Sequence, residues 1–299
     1  MPTVSIVIPT YNQAGFLGHA LRSVLAQTYI DWEAIVVDNF SADSTVPTVL
    51  GIRDPRIRLE QFSNHGIIAA SRNLGVARAT GVYVAFLDSD DLWEPEKLAV
   101  CVGQLERGYD LVWHGYRYVV HGSPKRVIPP IARKDLFDHL LYDGNSVGMS
   151  TVVARRTCLV EAGGFCEDPD IVTAEDYELW LRLTRSGIRG TAIRSVLSEY
   201  RLHPGNRSGV VRDQIAATTR VLERFLPPAR HSVRERLRIR RRYALLTYYA
   251  GRNLQHAGKY DQAWPFLLRA VLLWPALIKP YAAVAINLVG SVRATAGRR

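Results

Sequence analysis

Two short clusters of carboxylates carry the chemistry open to this sequence. The first closes the stretch Val82–Asp91, Val-Tyr-Val-Ala-Phe-Leu-Asp-Ser-Asp-Asp, an apolar run that ends in Asp88, Asp90 and Asp91. Such a run reads as a buried strand, and open α/β sheets place their ligands beyond the C-terminal ends of their strands. Three acids this close repel one another unless a cation joins them, and hard oxygen donors suit Mg²⁺ or Mn²⁺. The plain alternative is a solvated turn opening the helix that starts near Pro95. The second cluster, Glu175-Asp176, opens a helical stretch to Ser186 with Leu179, Trp180 and Leu183 on one face. A helix N-terminus favours an ionised carboxylate, as a proton acceptor requires, while a second acid alongside raises the pKa of either. Trp180 reads as core.

The elements that would position these acids alternate in type. Val4–Ile8 is a β-branched run stopped by Pro9, and helical spacing of apolar residues follows from Phe16 to about Gln27. Trp32–Val37, Ile57–Gln61 and Val82–Leu87 read as further strands. Between them lie helices over Thr45–Arg53 and Ile67–Ala79. Strand alternating with helix predicts a mostly parallel α/β sheet flanked by helices. Thr10-Tyr11-Asn12, Asp38 and Asp88 then end three strands on one edge. Later come a helix over Pro95–Arg107, an aromatic-rich strand over Asp110–Val120 and a basic, turn-rich Gly122–Pro130. A helix over Lys134–Tyr142, strands at Ser150–Ala154 and Ile193–Tyr200, and a helix over Arg155–Ala162 complete this part.

From Arg212 onward the pattern is all-helical. Residues 201–299 hold nineteen Lys and Arg against four Asp and Glu, while the first two hundred residues carry a small acidic excess. Arg234–Arg242 packs six arginines into nine residues, and Tyr243–Trp274 resembles one tetratricopeptide-type hairpin. Such a unit cannot bury its own face alone. A basic extension suits an anionic lipid surface. Nucleic acid is not expected, because no aromatic platform or reader motif accompanies the charge. Ala276–Val289 is apolar but interrupted, and too short for a confident membrane span. Cys101, Cys158 and Cys166 have no metal-type spacing and are expected as free thiols in a reducing compartment. With an N-terminus unlike a signal peptide, the expected location is cytoplasmic or peripheral at the inner face of the cell membrane.

Five stretches occur in one order: residues 4–12 (Val-Ser-Ile-Val-Ile-Pro-Thr-Tyr-Asn), 36–45 (Val-Val-Asp-Asn-Phe-Ser-Ala-Asp-Ser-Thr), 71–75 (Ser-Arg-Asn-Leu-Gly), 81–91, and 174–182 (Ala-Glu-Asp-Tyr-Glu-Leu-Trp-Leu-Arg). This set resembles the family 2 glycosyltransferases with the GT-A fold, over about residues 3–208. The resemblance implies an inverting enzyme that moves one sugar from a nucleotide-diphosphate sugar to an acceptor hydroxyl, with Mg²⁺ or Mn²⁺. It implies that Pro9, Thr10, Tyr11 and Asp38 hold the nucleoside and that Arg72 lies near the diphosphate or sugar, with Asp88 and Ser89 also on the donor. Asp90 would be the direct metal ligand, with Asp88 in support and His203 near the metal or diphosphate. Asp176, ahead of Glu175, would be the general base, and Asp91 a cap for the next helix. The acceptor implied is a lipid-linked or cell-envelope saccharide.

One departure stands out: many relatives carry Asp-Asp-Gly-Ser where this chain has Asp38-Asn39-Phe40-Ser41. That leaves the choice of nucleotide open. The chain also lacks the Gln-x-x-Arg-Trp motif of processive synthases, which favours transfer of single sugars. The expected organisation is a GT-A domain over 1–209 and a basic helical extension over 210–299. Three rival readings fit these residues less well. A phosphatase-like Mg²⁺ hydrolase would carry its Asp-x-Asp on the first strand. A dehydrogenase would need Gly-x-Gly-x-x-Gly after strand one, which is missing. A nucleotide-sugar-binding or scaffolding protein without transfer activity would have no need of Asp88, Asp90 and Asp176 together.

Overall fold

The β-branched run after Thr3 forms β1 (Val4–Thr10), buried along its whole length. The computed structural model describes residues 1–120, 122–203, 211–226 and 232–296, with backbone alone for 292–296. After β1 come α1 (Ala14–Leu25), β2 (Trp32–Asp38), α2 (Thr45–Leu50), β3 (Ile57–Gln61), α3 (Ile68–Arg78) and β4 (Tyr83–Phe86). β1 pairs in parallel with β2 and β4, and β2 with β3. Strands covered on both faces are buried along their whole length and mostly apolar rather than alternating, as β1, β2 and β4 are.

The chain continues through β5 (Leu92–Trp93), α4 (Lys97–Leu105), β6 (Leu111–Val120), β7 (Ser123–Ile128) and α5 (Leu136–Asp143). Then follow a 3₁₀ turn at Met149–Thr151, β8 (Val153–Arg155), α6 (Arg156–Glu161), α7 (Glu175–Arg185) and β9 (Gly190–Leu202). Among the described residues the sheet has nine strands, ordered β3-β2-β1-β4-β8-β6-β9-β5, with β7 added beside β6. β8 runs antiparallel to both β4 and β6, and β6 runs parallel to β9. The register sets Thr10 opposite Asp38 and Val7 opposite Phe86, so the ends of β1, β2 and β4 share one edge.

Some expectations are corrected. The basic segment read as a turn is β7, an edge strand whose backbone groups pair with β6; Lys125 and Arg126 suit an exposed edge. The strand expected at Ser150–Ala154 is delayed to Val153 because Met149–Thr151 makes a 3₁₀ turn. β9 is longer than Ile193–Tyr200, since it follows β6 to Leu202. It also pairs with the unforeseen β5.

By contact density the chain forms two units, Met1–Phe137 with Ser146–Pro204, and Asp138–Asn145 with Gly205–Arg299. The boundary expected at 209/210 lies outside the described residues. The second unit contains α8 (Val211–Phe225), α9 (Val233–His256), α10 (Tyr260–Leu273) and α11 (Ile278–Ala296). Val211, Ala250, Leu254, Ala263, Leu267 and Ala283 form its core. Gly251 lets α10 approach closely, since a Cβ there would stand 2.5 Å from Leu267 Cδ2. Gln255 Nε2 donates to Ala283 O at 2.7 Å and to Asn287 Oδ1 at 2.9 Å, which ties α9 to α11.

α9 begins at Val233 behind a Ser232/Glu235 capping box, so the arginine run and the first helix of the hairpin are one element. Arg238 pairs with Asp138 at 2.9 Å and lies 3.6 Å over the Tyr142 ring. Arg241 pairs with Asp143 at 2.7 Å, and Arg242 is buried. Arg240 donates to the Leu272 carbonyl at 3.1 Å, so at least four of the six arginines are engaged within this unit. Among the described residues no helix is long and apolar enough to cross a membrane.

Candidate active site

Beyond β1 and β2 two loops are laced together. Asn12 N–H donates to Ser41 Oγ at 2.8 Å, and Ala42 N–H donates to Asn12 Oδ1 at 2.8 Å. Asp38 is fully buried and accepts from Ser41 N–H, Ser41 Oγ and Gln61 Nε2. Phe40 holds a left-handed φ of 53°. A side chain in this region costs about 1–2 kcal/mol. Thr10 is buried, whereas Tyr11 and Phe40 are exposed beside it in sequence. An exposed aromatic next to a buried acid can give a base a stacking face and a hydrogen-bond acceptor.

The Ser71–Gly75 motif divides its work along α3. A Cβ at Gly75 would lie 2.3 Å from Val7 Cγ1, so only glycine lets α3 sit this close to β1. Ser71 Oγ accepts from Asn64 Nδ2 at 2.8 Å. Asn73 clamps the backbone of Phe165, accepting from its N–H at 2.7 Å and donating to its carbonyl at 2.9 Å. Arg72 points the other way. Its Nη2 donates to Asp88 at 2.8 Å and its Nη1 to Glu175 at 2.6 Å. Burial opposes its charge, but Asp88 and Glu175 more than offset that and raise its pKa.

Asp88 follows β4 and Ser150 pins this segment: its Oγ accepts from Asp88 N–H at 3.1 Å and donates to Asp91 Oδ2 at 2.6 Å. Ser89 Oγ donates to Gln13 Oε1 at 2.7 Å. His203 Nε2 lies 3.1 Å from Asp90 Oδ2, and its ring stacks on Phe16 at 4.2 Å. Arg201 donates from its Nε to the Asp90 carbonyl and from its backbone N–H to Asp91 Oδ1. Burial, then the charge of Asp88, hold Asp90 above the usual carboxylate range, while His203 works against them. Burial and the charges of Asp90 and Asp88 push Asp91 well above it.

The expectation that Asp91 caps the next helix is corrected. Its carboxylate is turned inward to Ser150 and Arg201, and α4 starts only at Lys97. Behind this segment Trp93 Nε1 donates to the Ser150 carbonyl at 2.7 Å. Lys97 is fully buried, its Nζ 3.6 Å over the Trp93 ring and without a hydrogen-bond partner. Burial pushes its amine down to about 7.

The second acid pair opens α7, behind Thr173 at φ 83°. A β-branched residue rarely adopts that conformation. It is held there because Thr173 N–H donates to Glu175 Oε2 at 2.7 Å, while the other Glu175 oxygen takes Arg72. Asp176 is partly buried and accepts from Tyr177 N–H. Burial and the charge of Glu175 raise it to about 7, with Arg72 acting in the opposite sense. Trp180, one turn on, is fully buried, with its ring edge-on to Phe165 at 6.3 Å.

Glu175, Asp176, Arg72 and Asp88 thus form one electrostatic cluster, with Asp90 and His203 beside Asp88 in sequence or charge. Among the described residues no three His, Cys, Asp or Glu side chains already converge as a finished metal cage. Sequence reasoning missed Ser150, Arg201, Phe16 and Gln13. Arg201 stood in the same Tyr-Arg-x-His segment as His203 and could have been found there; Ser150 carries no local signal.

A curled, mostly parallel sheet with acids gathered beyond its strand ends defines a glycosyltransferase of the GT-A fold. Residues 5–155 match the family described as Glycosyl transferase family 2, and the chain belongs to it. It is similar to the putative teichuronic acid biosynthesis glycosyltransferase TuaG of Bacillus subtilis, 32% identical over 67% of this chain and 79% of that protein. It is also similar to the Escherichia coli UDP-Glc:alpha-D-GlcNAc-diphosphoundecaprenol beta-1,3-glucosyltransferase WfgD, 34% identical over 67% of this chain and 77% of that protein. Among solved structures, S. aureus TarS 1-349 in complex with UDP-GlcNAc matches with a TM-score of 0.69 over 97% of this chain and 89% of that one, at 18% identity. The mannosyltransferase PcManGT of Pyrobaculum calidifontis, in complex with GDP-Man and Mn2+, matches with a TM-score of 0.54 over 99% and 79%, at 20% identity.

Proposed function

We propose that the protein is an inverting transferase that moves a single sugar from a nucleotide-diphosphate sugar to an acceptor hydroxyl. Asp176 is the general base, and Asp90, with Asp88 and His203, holds Mg²⁺ or Mn²⁺. Arg72 is the observation that carries this reading. By binding Asp88 and Glu175 together, the latter 103 positions from Arg72 itself, it joins the acids after β4 to those opening α7. Donor ligands and base are needed within one site, and a shared buried arginine supports that they are.

Two carboxylates and an imidazole fit a cation that takes its other ligands from phosphate oxygens. Asp90 is held above its ordinary range by burial and by Asp88, a penalty that a cation would relieve. When bound, the metal would neutralise charge developing on the leaving diphosphate. The chain's own groups do the rest. Asp38, Thr10, Pro9 and Tyr11 hold the nucleoside, and Asp38 accepts from a base N–H or a ribose hydroxyl. Ser89 and Arg72 lie on the diphosphate or sugar side. Asp176 takes the proton of the acceptor hydroxyl as it attacks from the face opposite the leaving group. The two solved neighbours are complexes with UDP-GlcNAc and with GDP-Man, which makes uridine and guanosine donors the first to test. The acceptor is a lipid-linked or cell-envelope saccharide, met at the inner face of the membrane with the basic unit against its anionic surface.

Calorimetry with Mn²⁺ across UDP-, GDP- and dTDP-sugars should find one donor class that binds. Asp90→Ala should abolish metal-dependent turnover of that donor. No binding to any of them would overturn the proposal.

A further inference from the structure

The last helix of the second unit is apolar nearly all the way round. α11 contains no acid, and its charged residues are Lys279 and Arg293 alone. One face is buried in the usual way, with Pro280, Ala283 and Asn287 against the unit's core. A helix packed on one side should present charge on the other. Here the outer face is Ile278 at 81% exposure, Tyr281 at 46%, Ile286 at 49%, Leu288 at 54% and Val289 at 55%, with small alanines between. At 100° per residue these positions fill about half of the helix circumference. Lys279 sits at the edge of this band, where a lysine stem can lie along an apolar layer with its amine in water.

An apolar half-cylinder of this width calls for a cover. Charge selects among the candidates. The part of the chain from 201 onward carries nineteen basic residues and four acidic ones, so a second copy would bring like charge against like. An anionic lipid surface brings the opposite charge together with an apolar layer just beneath it. We infer that α11 lies in the plane of an anionic membrane, its Ile278–Val289 face sunk among the acyl chains, Lys279 at the headgroups and the net positive charge of the helical unit drawing it there. This rests on the transferase reading only in giving the membrane contact a purpose, a lipid-linked acceptor. It makes the arginine charge a steering force and assigns retention to α11.

Flotation of the full chain with phosphatidylglycerol–phosphatidylcholine vesicles, and with phosphatidylcholine alone, tests it. The native chain should float with the anionic vesicles. Raising salt to about 0.5 M NaCl should weaken that binding without abolishing it, because screening removes only the charge contribution. The triple variant Ile278→Ser/Leu288→Ser/Val289→Ser alters exposed positions and should unfold at the same temperature as the native chain. Its partition onto anionic vesicles should fall at least about ten-fold, as loss of three inserted apolar side chains requires. Equal flotation of native chain and variant would overturn the inference, as would no flotation of the native chain. So would sedimentation of the lipid-free native chain as a dimer that the variant breaks, which would assign the face to self-association. Donor binding measured on the same samples keeps the two readings apart: loss of flotation with donor binding intact fails the membrane inference alone.

Discussion

Asp176 offers the sharpest test of the transfer chemistry. Burial and the charge of Glu175 lift its pKa from an ordinary 3.8 to about 7. A base is only about one-tenth ionised one pH unit below its pKa, so turnover should fall about ten-fold from its plateau at one unit below the inflection. The assay is kcat/KM for donor turnover from about pH 5 to 9 at fixed ionic strength and saturating Mn²⁺. Bound metal adds positive charge beside Asp88, so the inflection should lie between 3.8 and about 7. Glu175→Gln removes the like charge and frees Arg72 to act on Asp176, and both changes move the inflection down. An inflection that Glu175→Gln leaves unmoved refutes the assignment.

The same group makes a stability prediction of definite sign. Its folded pKa is above its unfolded one, so the stability it contributes is full below 3.8 and is lost as pH rises through about 7. Three units would correspond to about 4 kcal/mol, and partial exposure of the carboxylate reduces this to about 1–2 kcal/mol. At pH about 8 Asp176→Asn should therefore melt higher than the native chain while losing transfer, a trade of stability for function.

Three further outcomes follow. Arg72→Met should destabilise the chain by about 3–5 kcal/mol in urea titration, because it strands Asp88 and Glu175. Lys97→Met should stabilise it near neutral pH by about 2–3 kcal/mol, the Trp93 ring having offset part of the burial cost. The lysine's folded pKa is depressed, so its penalty is full below about 7 and fades as pH rises toward 10.5; the urea midpoint of the native chain should gain on the variant across that window. Phe40→Gly should raise the melting temperature, by up to about 1 kcal/mol of stability, if the left-handed turn costs what a side chain there usually does.

The parts legible in sequence were those written locally. Val4–Thr10 and Trp32–Asp38 announce buried parallel strands by continuous apolar runs, and their register brings Thr10 against Asp38 without further information. Asp88, Asp90, Glu175 and Asp176 could be named from type and spacing. What could not be read was the pairing across distance: Arg72 with Glu175 and Ser150 with Asp91. Each bond joins residues whose neighbours give no sign of it. Asp91 was read as a helix cap because a carboxylate before a helix usually is one; Ser150, 59 positions later, and Arg201 turn it inward. β7 was missed for a related reason, since Pro124, Lys125 and Arg126 resemble a turn until β6 supplies the hydrogen bonds.

The small segment Asp138–Asn145 belongs by its contacts to the helical unit, although it is made long before that unit. Arg238 and Arg241 supply the partners of Asp138 and Asp143, about a hundred residues downstream. During synthesis at about 5–20 residues per second, the segment waits for several seconds before those arginines can reach it. A shortened chain ending near 209 would leave it waiting permanently, with Tyr142 and Asp138 without their arginine and Asp143 left with His139 alone. The C-terminal helices thus close a part of the chain that the ribosome has left unfinished, and the order in which the protein is made becomes part of how it folds.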